Sequence, residues 1–309
     1  MKQIFSIVLV IIGAMIGAGF ASGQEIYSFF YSYGIVGLIG IIITCFLISV
    51  TIYKSLKIIC INEIDNYNEF VRLFIKNEKI TQIINLVINI LLLVTFYIMI
   101  AGFGAYFEQE LGINKIFGSS VLAIMSAIIF FTSVKGVLKV SQCIVPILII
   151  FVIVIGGINL ITINTDQVHI IMKSGCILSS ITYCSYNMIL LIPVLISLRK
   201  QISRQSDIKY IAILSGIFMI IMSIMIYMLL LKIDVDITTL EMPIVYVVGT
   251  FFTKFKTIYA FTILSSIFTT AISVGIGFLQ NMSKTKKSYP QFVLFMCITG
   301  LIVSNFGFS

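Results

Sequence analysis

Residues 10–30 read VIIGAMIGAGFASGQEIYSFF, and how this stretch crosses a bilayer decides the fold. It opens as an apolar helix. It then places Gly13, Gly17, Gly19 and Gly23 ahead of Gln24 and Glu25. Glycine in a helix interior costs about 1 kcal/mol relative to alanine, so the cluster invites the helix to unwind. Unwound backbone is tolerated at membrane depth only against protein or a water-filled cavity. A small-xxx-small packing face accounts for Gly13 and Gly17. It does not account for Ser22-Gly23-Gln24-Glu25 continuing in the same span.

The rest of the chain agrees with a membrane setting. It is 60% hydrophobic and 10% charged over 309 residues, against about 45–50% and about 25% in soluble domains. Apolar runs of about 20 residues match a hydrocarbon core crossed as helix, and the alternation of a transmembrane barrel is missing. The expectation is an all-α integral membrane protein of about nine spans. They fall near 4–32, 35–53, 82–107, 117–134, 140–161, 169–198, 209–231, 257–281 and 290–306. Met1-Lys2 runs directly into the first of them, with no small-residue cleavage site, so that run reads as a span and not as a removed signal. The six cysteines form no CxxC pair and read as packing residues.

The net charge of +8 raises nucleic acid as a partner, but basic loops on one side of a bilayer explain it better. With the N-terminus inside, alternating spans put fifteen of the twenty Lys and Arg residues inside, among them Lys54, Lys57, Lys135, Lys200 and Lys287. Lys115, Lys173, Lys232, Lys254 and Lys256 fall outside. This asymmetry sets a cytoplasmic N-terminus. In the inside loop 54–81, NEFVRLFIKNEK (68–79) reads as a surface amphipathic helix with Phe70, Leu73 and Phe74 on one face. In the outside loop 232–256, Asp234, Asp236 and Glu241 precede MPIVYVVGTFF (242–252), which is too short to span and reads as folding back over an outer vestibule.

Three spans carry polar groups at one depth. Glu25 is the sole acid inside a predicted span, and such residues default to function. A continuous helix would carry it to the outer interface, whereas a break at Gly17–Gly23 turns it toward a central cavity. The sixth span, GCILSSITYCSYNMILLIPVL (175–195), bears Thr182, Tyr183, Ser185, Tyr186 and Asn187. The eighth, YAFTILSSIFTTAISVGIGF (259–278), bears Ser265-Ser266, Thr269-Thr270 and Ser273; packing glue explains these hydroxyls as readily as a site does. Gly17, Tyr183 and Thr269 each lie roughly 18–21 Å into their spans at about 1.5 Å per residue. Spans 1 and 6 are five apart and so run in opposite directions. Paired broken helices in two inverted halves are the pointer to a secondary transporter, with both the first and the sixth span expected to unwind.

IGAGFASGQEIYSFF (16–30), the polar TYCSYN (182–187) and the closing SNFGFS (304–309) resemble the YkvI-like family of bacterial membrane proteins. That family is similar to the amino acid–polyamine–organocation transporters. The resemblance covers nearly the whole chain, and GAGFASGQE is its specific part. It implies a multi-pass protein of the bacterial cell membrane, a single transmembrane domain over 1–309 with a LeuT-type inverted-repeat bundle. Residues 1–161 form the first five-helix repeat and 168–309 the second, incomplete one, because a tenth span is missing. A central site would lie between spans 1, 3, 6 and 8. It also implies amino-acid-like substrates with Na⁺ or H⁺ coupling. The substrate-binding candidates are Gly17, Ala18, Gly19, Ser22, Gly23, Tyr183, Tyr186 and Asn187. Thr269 and Thr270 are candidate Na⁺ ligands. Glu25 is the alternative coupling group, taking up a proton when desolvated. The rival reading is a transporter-like receptor that binds a solute without moving it, alone or with a partner subunit. An enzyme is disfavoured: the chain has one histidine, His169, and no HExxH, GxSxG, paired intramembrane aspartates or GxxxxGK[ST].

Overall fold

The computed structural model describes residues 2–162, 174–233, 237, 242–283 and 287–304. His169, Lys173, Asp234, Asp236, Glu241, Lys284, Lys286 and residues 305–309 lie outside the described residues. Among the described residues all regular structure is helical. Six helices are long and apolar enough to cross a membrane: α4 (Val36–Ile61), α6 (Glu78–Leu111), α8 (Ser133–Thr162), α9 (Cys176–Leu198), α10 (Asp207–Leu230) and α12 (Lys256–Met282). Three shorter apolar helices accompany them: α1 (Lys2–Met15), α7 (Lys115–Phe131) and α13 (Tyr289–Ser304). The remaining pieces are α2 (Ala18–Ala21), α3 (Gln24–Phe29), α5 (Tyr67–Arg72) and α11 (Pro243–Phe251).

Asparagines begin several helices by accepting the first free backbone N–H groups. Asn77 accepts from Lys79 and Ile80 to start α6, and Asn114 accepts from Ile116 to start α7. Helix α12 is the central pillar, buried almost without interruption from Thr262 to Leu279. It packs along α6, α8, α9 and α1. Helix α4 lies along α9 and α10, α13 lies along α6 and α7, and α1 is held by α8, α10 and α12.

Two loops take shape. The surface helix expected over 68–79 is two pieces instead. Asn66 caps α5 and Asn77 caps α6, and each cap starts its own helix. Phe70 and Val71 are buried, whereas Leu73 and Phe74 are 50% and 63% exposed, so the expected single face does not form. Asn281 ties this corner to the pillar. Its carbonyl oxygen accepts from the Tyr67 N–H at 2.9 Å, and its amide donates to Asn85 and Asn89. On the other loop, α11 packs on α10 and α12. The Ile244 N–H donates to the Ser22 carbonyl at 2.9 Å, which lays α11 against the turn between α2 and α3.

Candidate functional site

The first apolar stretch breaks where its glycines cluster. Helix α1 ends at Met15, Gly17 is extended (φ −83°, ψ −171°), and the four-residue α2 follows. Gly23 then turns the chain with φ +85°, a left-handed backbone that costs other residues about 1–2 kcal/mol. A β-carbon at Gly23 would also stand 2.6 Å from Ile244 Cγ1. One break frees α1 carbonyls that need partners inside a membrane. The Thr270 hydroxyl on α12 takes that position, 2.9 Å from the Gly13 carbonyl oxygen and 3.2 Å from that of Ile16. The Tyr259 hydroxyl donates to the Ala21 carbonyl at 2.8 Å.

The sixth apolar stretch does not unwind, and this corrects the expectation drawn from its polar residues. Helix α9 is continuous from Cys176 to Leu198 and contains no glycine. Its hydroxyls donate to carbonyls one turn back: Ser180 to Cys176, Thr182 to Leu178 and Ser185 to Ile181, at 2.8–2.9 Å. The Asn187 amide does the same to Tyr183 at 3.0 Å. Polar side chains that bond to their own helix are compatible with an intact helix at membrane depth.

Glu25 sits on α3, directly after the turn. Its Oε2 accepts from the Tyr183 hydroxyl at 2.8 Å, and Tyr183 is buried against Phe29 and Phe30 at ring-centroid distances of 4.9 and 5.2 Å. The carboxylate folds back over α2. A β-carbon on Gly19 would lie 2.6 Å from Glu25 Oε1, so Gly19 is what leaves this acid its place.

A cavity of about 40 Å³ lies here, walled by residues that include Gly17, Ala18, Gly19, Glu25, Tyr186, Asn187 and Thr270. That is room for about three or four water molecules at roughly 10–15 Å³ each. Asn187 is buried, while Tyr186 is 45% exposed. The other expected residues lie around it. Tyr183 is behind Glu25. Ser22 bonds to the Gly19 carbonyl at 3.2 Å and belongs to the turn with Gly23. Thr269 donates to Ser265 and Ser266 of its own helix and packs against Gly13. Thr95 and Met99 on α6 also line the cavity; a single threonine amid the apolar residues 90–100 gives no signal for them. A second, larger cavity of about 810 Å³ opens between the start of α8 and the ends of α9 and α12, with Lys135, Lys200, Asp65 and Tyr289 on its walls.

No family model matches the chain. It is 28% identical over 306 residues to an uncharacterized membrane protein, YkvI, of Bacillus subtilis (strain 168), covering 97% of this chain and 87% of that protein. It is 25% identical over 312 residues to the uncharacterized protein YyaD of the same organism, covering 97% and 88%.

Proposed function

Taking the chain as a relative of YkvI-like membrane proteins, we propose that it is a secondary transporter of a small amphipathic solute, an amino acid or a related compound. The solute crosses the cell membrane together with Na⁺ or H⁺. The observation that carries this reading is the broken α1–α3 segment set against a polar cavity walled by α6, α9 and α12. Discontinuous helices of this kind form the solute and ion sites of secondary transporters.

Helix packing supports an inverted repeat. Take α1–α3, α4, α6, α7 and α8 as crossings one to five, and α9, α10, α12 and α13 as six to nine. The packed pairs α1/α9, α4/α10, α6/α12 and α7/α13 are then each five crossings apart. In this frame the N-terminus is cytoplasmic, and the larger cavity at Lys135 and Lys200 lies on the cytoplasmic side.

The coupling ion is cargo. The carbonyls of Gly13 and Ile16, with the Thr270 hydroxyl that already converges on them, are the oxygen set that an unwound segment offers Na⁺. Glu25, held by Tyr183, is the group that carries a proton. The solute occupies the space before Gly17–Gly19, Asn187 and Tyr186. The cavity is too small for an amino acid as it stands, since ligand pockets measure about 300–1,000 Å³. Admission therefore requires one bundle to rock against the other.

Uptake into proteoliposomes tests this with a panel of amino acids under Na⁺ or pH gradients. Uptake in at least one arm is expected. Thr270→Val removes Na⁺ dependence if Na⁺ couples, and Glu25→Gln removes pH dependence if H⁺ couples. A solute that raises the melting temperature without any flux identifies a receptor and overturns transport.

A further inference from the structure

An apolar groove of about 630 Å³ opens between α4 and α10, away from the residues of the central cavity. Its walls include Ile42, Phe46, Ile213 and Ile217, which are 44–64% exposed. The two helices meet closely beneath it: a β-carbon on Gly216 would stand 1.8 Å from Ser49 Oγ. That contact makes a valley between two ridges.

The groove is not apolar at both ends. Among the described residues, Lys209 is the only charged one on its walls, and Tyr53 is beside it at the same end. Exposed Lys54 and Lys57 extend the positive charge there, and the Lys57 Nζ stands 5.9 Å from the Tyr53 ring centre. Asp207 opens α10 but is not on the groove wall. From Tyr53 to Ile42 on α4, and from Lys209 to Ile220 on α10, the groove runs eleven residues, or about 16 Å at 1.5 Å per residue. That is half of a hydrocarbon core of about 30 Å.

A helix from a second copy would run through both leaflets. A groove one leaflet tall, closed at its polar end by a lysine, matches a single phospholipid. We propose that this groove is a binding site for an anionic phospholipid of the phosphatidylglycerol type. One acyl chain lies in the valley over Gly216, and the headgroup phosphate meets Lys209, a point charge suited to phosphate. Basic pockets between membrane helices select anionic headgroups in this way. The site stands apart from the central cavity and holds whether or not the chain transports.

The chain contains no tryptophan, so Phe46→Trp adds a single fluorescent reporter to the groove wall. Reconstitute that variant in phosphatidylcholine, and replace part of the lipid with brominated phosphatidylglycerol or brominated phosphatidylcholine. Phosphatidylglycerol is expected to quench about fivefold more effectively per mole, the preference that one basic side chain near an anionic lipid supplies. Adding Lys209→Glu should bring the ratio to about one. A control reporter, Ile128→Trp on the exposed face of α7, should give a ratio of about one throughout. Equal quenching at position 46, or a preference that survives Lys209→Glu, overturns the proposal. So does a position 46 that no lipid quenches because another copy covers it.

Discussion

Helices α1–α3 and α9 meet at the same cavity and carry comparable polar content, yet one breaks and the other does not. In residues 13–23 four glycines remove the side chains that would stabilise a helix, and Thr270 stands ready to take the carbonyls that the break releases. In α9, hydroxyls and an amide sit on a glycine-free frame and bond to carbonyls one turn behind. Polarity alone therefore does not unwind a membrane helix. Unwinding needs weak helix formers in the segment and a partner elsewhere for the freed backbone.

Gly23 is where substitution should cost the broken segment most. Gly23→Val places a β-branched side chain at φ +85° and against Ile244. The left-handed strain and the overpacking together predict a loss of about 3 kcal/mol. It would appear as a large drop in melting temperature in detergent; a change within error would mean that the turn is not held as described.

A paired substitution sharpens the contrast. Thr270→Val leaves two α1 carbonyls without their donor and should cost about 1–2 kcal/mol. Thr182→Val removes a hydroxyl that serves only its own helix and should stay within about 0.5 kcal/mol. Equal costs in the same melting assay would erase the distinction between the two helices.

Tyr183→Phe probes the point where α3 touches α9. The Glu25 Oε2 loses its donor at 2.8 Å, with an expected loss of about 1 kcal/mol. Glu25→Gln in the same background should recover part of it, read as non-additivity in a double-mutant cycle.

The smallest difference lies where α1 begins and α9 ends. Arg199, just past α9, bonds to Asp65 at 2.7 Å. The α1 end is tied by uncharged groups: Gln3 donates to the Gln201 carbonyl and Ser203 donates to Gln3. Partial burial raises the Asp65 carboxyl, but Arg199 and Lys200 outweigh this and hold it below the usual carboxylate range. A depressed folded value contributes stability above the unfolded pKa, which is lost as pH falls through the folded value. Because Asp65 is 55% exposed, Asp65→Asn should cost about 0.5 kcal/mol or less at neutral pH and nothing in strong acid. A cost that persists in acid would mean that charge is not the tie.

Much of this was legible beforehand. Each long helix overlaps the apolar run that predicted it, because the hydrophobic period is local, although α4 runs eight residues past its expected end and α8 begins seven residues before its expected start. The break before Glu25 was legible for the same reason, since glycines weaken a helix wherever it packs. The surface helix expected over 68–79 does not form because two asparagine caps outcompete one amphipathic face. Thr95 and Met99 went unread because nothing in α6 itself marks them.

The chain by itself therefore determined its class, the positions of its helices and the weak point in the first of them. These are set by backbone propensity and by the need to satisfy every peptide group within about 30 Å of hydrocarbon. Only the tertiary structure decided that α9 stays whole, that Thr270 and not Thr269 reaches the α1 carbonyls, and that Tyr183 meets Glu25. Each of those outcomes depends on which helix lies opposite, and a side chain at membrane depth bonds to whichever partner the packing brings within about 3 Å.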